Sequence, residues 1–200
     1  MDASPYDQIP YTSLAFPQTH PDHLAGIARL FALRPPDITA CRVLELGCAS
    51  GGNLLPMAFN LPSREFVGID LSQNQVDDGR RTSAALGLRN VRIESTSIAD
   101  VDEGWGQFDY IICHGVFSWV ERNVQDHILT IASRNLSPNG IAYVSYWSDG
   151  LVILDVGNGM KGGTPSDPKL ISNYKYNAGS LYPGATADYG PRFISGTHTA

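Results

Sequence analysis

Residues 43–52 read Val-Leu-Glu-Leu-Gly-Cys-Ala-Ser-Gly-Gly, a short apolar strand running into a turn with glycines at 47, 51 and 52. A helix is expected from about Gly52-Asn53, with Pro56 tolerated because it falls in the first turn. Residues 65–70 (EFVGID) then read as a second strand. Strand, turn, helix and strand in this order make a crossover unit with parallel strands. Glycines at the strand-to-helix turn let the backbone approach a ligand without a side-chain clash. The spacing departs from the dinucleotide fingerprint G-x-G-x-x-G, because position 49 is Ala. Glu45 also precedes the turn, where a carboxylate repels a pyrophosphate and suits a ligand with a cationic group, such as an amino acid moiety. Asp70 ends the second strand at the distance, ~20 residues past the turn, from which an acid can bond both hydroxyls of a ribose. A plain tight turn explains the glycines alone, and helix capping explains Asp70 alone, although Ser72 is better placed for that.

The rest of the chain extends this pattern. Residues 1–20 hold three prolines and no period, and read as an irregular arm. A helix opens after Thr19-His20-Pro21, with Leu24, Ile27, Ala28 and Phe31 on one face, and ends at Arg34-Pro35-Pro36. Ser72 and Gln75 form a capping box for a helix that stops at Gly87. Strands are expected at 90–94 and 108–113, with Asn123 capping a helix that carries Val124, Ile128, Ile131 and Leu136. The turn Ser137-Pro138-Asn139-Gly140 delivers a fifth strand over 141–146. This alternation predicts an α/β fold, a Rossmann-like doubly wound and mainly parallel sheet with the first strand central. Residues 151–200 contain eight glycines and four prolines, and only 151–156 (LVILDV) read as a strand there. The link before it is too short for a helical crossover, so an antiparallel or out-of-order pairing is expected. Residues 157–200 are expected to be less stably packed than residues 40–148.

Composition narrows the function classes. A hydrophobic fraction of 42% in 200 residues suffices for a core. The net charge of −6 gives no electrostatic drive toward nucleic acid or an anionic membrane. No apolar run approaches the ~20 residues of a membrane span, and the N-terminus lacks the pattern of a secretory signal. Cys41, Cys48 and Cys113 are odd in number and lack C-x-x-C spacing, which points to a reduced, cytoplasmic setting and no metal site.

VLELGCASGGN followed by FVGIDLS resembles the first motif and its successor in class I S-adenosylmethionine-dependent methyltransferases. VRIESTSIADV, FDYIICHGVFSWV and LSPNGIAYVSY resemble that family's next three strands in order, and the likeness covers roughly residues 5–148. The front segment YDQIPYTSLAFPQTHPDHLAGIARLFAL is similar to the bacterial subfamily containing rickettsial protein lysine methyltransferases and proteins with a methyltransferase regulatory domain. The resemblance implies S-adenosyl-L-methionine as cofactor and a domain at 21–148, between an arm at 1–20 and a divergent or truncated segment at 149–200. It implies that Glu45, Gly47, Cys48, Ala49, Gly51 and Asn53 shape the pocket for the methionine part. Asp70 would hold the ribose, Leu71 would lie on the adenine, and Ser97 and Ile98 would border its edge. His114 and Gly115 would face the sulfonium and the acceptor. Ala49 stands where the family usually has its middle glycine, and Ser97 where many relatives have an acid.

Methyl transfer from a sulfonium requires alignment and exclusion of water, and a base only when the nucleophile arrives protonated. His114, ending the fourth strand, is the candidate base, against the alternative of a structural histidine. Tyr6, Tyr11, His20, Phe117 and Trp119 are candidates for an acceptor channel, against packing or, for His20, helix entry. The methyl acceptor is expected to be a protein, through lysine as the subfamily likeness implies, or a small molecule. Two rivals stand beside a methyltransferase: a non-catalytic S-adenosylmethionine-binding module, and a nicotinamide-dependent oxidoreductase, which the glycine spacing and Glu45 disfavour.

Overall fold

The structure is a computed structural model that describes residues 12–145, 150–155 and 169–175. Five strands, β1 (Arg42–Leu46), β2 (Glu65–Asp70), β3 (Val91–Ser95), β4 (Phe108–Cys113) and β5 (Leu136–Val144), form one sheet in the order β3-β2-β1-β4-β5. Every pairing in it is parallel, and β1 is central. The helices are α1 (Pro21–Leu30), α2 (Leu54–Asn60), α3 (Gln73–Ala85) and α4 (Arg122–Arg134). The order reverses beside β1, the switch point at which open α/β sheets hold their ligands.

Strand alternation sends successive residues to opposite faces. Val43, Phe66, Ile93, Tyr110 and Ile112 pack with Leu24, Leu54, Met57 and Val76 from α1, α2 and α3. Leu44, Leu46, Val67, Ile69 and Ile111 pack with Ile128 and Ile131 of α4. Two buried clusters thus clamp the sheet, as a doubly wound fold requires. Glu45 lies between Val43 and the turn on the face of α1–α3, an acid in a strand where every other buried residue is apolar.

Local signals set several boundaries as expected. Ser72 Oγ accepts from the Gln75 backbone N–H at 3.2 Å, opening α3, and Gly87 follows the helix at φ +67°. Pro56 sits in the first turn of α2. Three expectations need correction. First, α1 ends at Leu30, before the prolines, because Ala32 turns to φ +58°. Second, α4 is entered from Glu121, so Asn123 lies inside its first turn, its carboxamide accepting from Val124 N–H. Third, β5 begins at Leu136, and residues 137–140 interrupt its pairing with β4 rather than precede it: Phe108 faces Leu136 and Tyr110 faces Ile141. Tyr146, the expected last residue of that strand, lies outside the described residues.

β6 (Gly150–Asp155) pairs antiparallel with β7 (Lys169–Lys175) in a separate two-stranded sheet. The expected place for 151–156, antiparallel or out of order beside the strand at 141–146, is corrected: its partner is 169–175, which does not read as a strand because KLISNYK carries few apolar residues. The packing expected of the other tail residues lies outside the described residues.

Candidate functional site

The parallel sheet brings the C-terminal ends of β1, β2, β3 and β4 to one edge, and with them Gly47, Asp70, Ser97 and His114. The turn after β1 is held by backbone bonds: Gly47 and Cys48 N–H both donate to Ile69 O at 2.9 Å, and Gly51 N–H to Cys48 O at 2.8 Å. Gly47, Ala49 and Gly51 all take positive φ, of 74°, 49° and 76°. Ala49 therefore bears a left-handed conformation that glycine would adopt without strain. At Gly47 a Cβ would meet Val116 Cγ2 at 2.5 Å, so the turn and the segment after β4 touch there.

Asp70 closes the turn from the side. Its Oδ2 accepts from Ala49 N–H at 2.8 Å and its Oδ1 from Ser72 N–H at 2.9 Å. Each carboxylate oxygen has further acceptor capacity, so hydroxyl donors of a ligand can still bond it. Leu71 beside it is 53% exposed, an apolar surface at the edge of the site. Ser97 caps the short turn Ile98–Asp100 by accepting from Ala99 N–H at 3.1 Å, and Ile98 is buried behind it.

Glu45 is 3% exposed. Its Oε1 accepts from Asn53 Nδ2 at 2.7 Å, while Oε2, equally buried, has no hydrogen-bond partner among the described residues. Burial pushes the carboxyl up to about 7, with the charge of Asp70 adding to the rise and the Asn53 bond opposing it. An unpaired buried carboxylate oxygen is costly, and a cationic donor removes that cost. The thiols offer no competing chemistry. Cys41, Cys48 and Cys113 are free and buried, and burial raises all three, Cys41 to about 11 and Cys113 to about 12. They stay protonated at neutral pH and are poor nucleophiles.

His114 is half-buried just past β4. Its ring centroid lies 4.1 Å from that of Phe16 and 5.8 Å from that of Tyr143. Gly115, at φ +70°, donates its N–H to Ser145 Oγ at 2.7 Å, tying the ends of β4 and β5 together. Among the channel candidates, His20 serves as the N-cap of α1, its Nδ1 accepting from Asp22 N–H at 3.2 Å. Phe117 and Trp119 share one short helical turn; Phe117 is half-buried and Trp119 is 68% exposed. Tyr6 and Tyr11 lie outside the described residues.

Sequence reasoning missed how the arm meets this site. Gly52 N–H donates to Ser13 Oγ at 2.7 Å, and a Cβ at Gly52 would collide with the Ser13 carbonyl. Phe16 N–H donates to Asn53 Oδ1 at 2.8 Å, and the fully buried Thr19 sits beside the same carboxamide. No local pattern in the sequence marks this meeting, which joins residues 34 and 37 apart.

Residues 44–142 match the family model described as a methyltransferase domain. Two uncharacterized proteins of Rickettsia prowazekii are similar: RP789 is 50% identical over 145 residues, covering 72% of this chain and 26% of that protein. RP028 is 45% identical over 141 residues, covering 70% of this chain and 56% of that protein. The structure of PKMT2 from Rickettsia typhi in complex with AdoHcy superposes with a TM-score of 0.67 at 45% identity, covering 68% of this chain and 27% of PKMT2. The chain thus spans between a quarter and just over half the length of these relatives. With a five-stranded parallel sheet in this order and the family match across it, the chain belongs to the class I S-adenosylmethionine-dependent methyltransferases.

Proposed function

We propose that this chain binds S-adenosyl-L-methionine at the C-terminal edge of β1, β2 and β4 and transfers its methyl group to an acceptor. The observation that carries the reading is Glu45 Oε2, a buried acceptor at the glycine turn with no partner among the described residues, which an α-ammonium group would satisfy. Support comes from the family match and from the bound AdoHcy of the 45% identical PKMT2. In this reading Gly47, Cys48, Ala49, Gly51 and Asn53 enclose the methionine part, Asp70 accepts from the ribose hydroxyls, and Leu71, Ser97 and Ile98 border the adenine. The cofactor supplies a methyl group already activated on a sulfonium. The chain's own contribution is to orient the acceptor and exclude water, and His114, with Gly115 beside it, takes a proton where the acceptor arrives protonated. Residues 21–148 form the cofactor domain, with 1–20 as an arm and 149–200 as a divergent segment. Tyr6, Tyr11, His20, Phe117 and Trp119 border the acceptor's path.

For the acceptor we favour a protein lysine, on the resemblance of the front segment to the lysine methyltransferase subfamily. The charge of −6 argues against nucleic acid. No helix of the described residues is long and apolar enough to cross a membrane, and three buried free thiols suit a reducing cytoplasm. Calorimetry with S-adenosylmethionine and NAD, followed by an assay for S-adenosylhomocysteine with bacterial lysate and labelled cofactor, tests the reading. Binding of S-adenosylmethionine alone and label in a protein fraction support it. Binding without turnover leaves the non-catalytic binding module, and preference for NAD overturns both.

A further inference from the structure

Asn53 stands at the start of α2 without capping it; its side chain turns instead toward β1 and the arm. The polarity of its carboxamide follows from its neighbours. A backbone N–H can only donate, so the atom 2.8 Å from Phe16 N is Oδ1, and Nδ2 must face Glu45. Nδ2 has two protons. One goes to Glu45 Oε1 at 2.7 Å and the other to Thr19 Oγ1 at 3.0 Å. The Thr19 hydroxyl has one proton, which goes to Phe16 O at 2.9 Å, so toward Asn53 it accepts. Every side-chain donor of this buried relay is used, and Glu45 Oε2 is left without a partner among the described residues. Thr19 is 0% exposed and Asn53 4%, so water does not readily substitute for either partner.

We propose that the arm segment 13–19 is a working part of the cofactor site, and that Thr19 and Asn53 are positioning residues that hold Glu45 with Oε2 turned toward the ligand. The proposal rests on the reading above that S-adenosylmethionine occupies that site. Ser13 on Gly52 and Phe16 against His114 bring the same segment over the turn and over the acceptor side. Cofactor affinity and arm order are then linked. Because linkage is reciprocal, a ligand that needs Glu45 in this rotamer also tightens the arm.

The test uses the full chain, with Thr19→Val, which keeps the shape and removes the hydroxyl, and Thr19→Ser, which keeps the hydroxyl. S-adenosylmethionine affinity is measured well below the melting temperature of each, together with hydrogen exchange at the Phe16 amide with and without ligand. Thr19→Val should weaken binding about tenfold, the size of one buried hydrogen bond lost. Thr19→Ser should bind within about twofold of wild type, and ligand should slow exchange at Phe16. A folded Thr19→Val protein with wild-type affinity, or exchange at Phe16 indifferent to ligand, overturns the proposal. Should Thr19→Val fail to fold, the exchange measurement on the wild-type chain decides alone. Wild-type protein that binds no S-adenosylmethionine overturns the functional reading, and this proposal with it.

Discussion

Replacing Glu45 by Gln preserves the side-chain shape and removes its charge, so it isolates what burying that carboxyl costs. The group ionises at 4.5 in its ordinary setting and at about 7 in the folded chain, raised first by burial and then by the Asp70 charge. Between those values the folded state holds a proton that the unfolded state has lost. Stability therefore falls as pH rises through this window and levels off above it. At 1.36 kcal/mol per pKa unit the full penalty is about 3 kcal/mol, and most of it develops between pH 5 and pH 8. Glu45→Gln escapes it. Titrating groups not coupled to Glu45 are common to both proteins and cancel in the difference. Denaturant unfolding at the two pH values should show the variant gaining about 2–3 kcal/mol on wild type between pH 5 and pH 8. The same variant should lose S-adenosylmethionine binding, since the amide presents no anion to an ammonium group. A stability difference that stays constant with pH, or that shrinks toward pH 8, would refute the claim that a strained buried carboxyl is kept for a ligand.

Asp70→Asn should weaken S-adenosylmethionine binding at least tenfold by calorimetry, since each hydrogen bond to a charged group is worth about 1.5–3 kcal/mol; unchanged affinity would mean the ribose is held elsewhere. Gly47→Ala forces a Cβ to within 2.5 Å of Val116 Cγ2 at positive φ, and should cost about 1–3 kcal/mol in thermal or denaturant unfolding. Ala49→Gly relieves a left-handed alanine, and should stabilise the chain by up to about 1 kcal/mol, the strain removed exceeding the added chain entropy.

What could be read from the sequence was local. The five parallel strands, the turn at 47–52, Asp70 at the end of β2 and the Ser72 cap all follow from patterns within a dozen residues of one another. The 137–140 insertion defied that reading, because a turn composition can sit inside a paired strand when the register shifts across it, Phe108 facing Leu136 and Tyr110 facing Ile141. Asn123 had a capping composition, yet the helix begins one residue earlier, at Arg122. The contacts of Thr19 and Phe16 with Asn53 join residues 34 and 37 apart, and no periodicity encodes such a meeting. Glu45 was legible as an acid before a glycine turn. That one of its oxygens is used by Asn53 and the other left open required the folded chain.

Proton release on binding tests the central claim most directly. Calorimetry of S-adenosylmethionine binding at pH 7, run in buffers of different ionisation enthalpy, counts the protons exchanged. With Glu45 ionising at about 7 in the free protein, an ammonium group seated on Oε2 should drive the carboxyl fully to its anion. Wild type should then release about half a proton in excess of any the ligand itself exchanges. Tight binding with no excess proton release would contradict the account, because it would mean that the ligand's charge never meets Glu45.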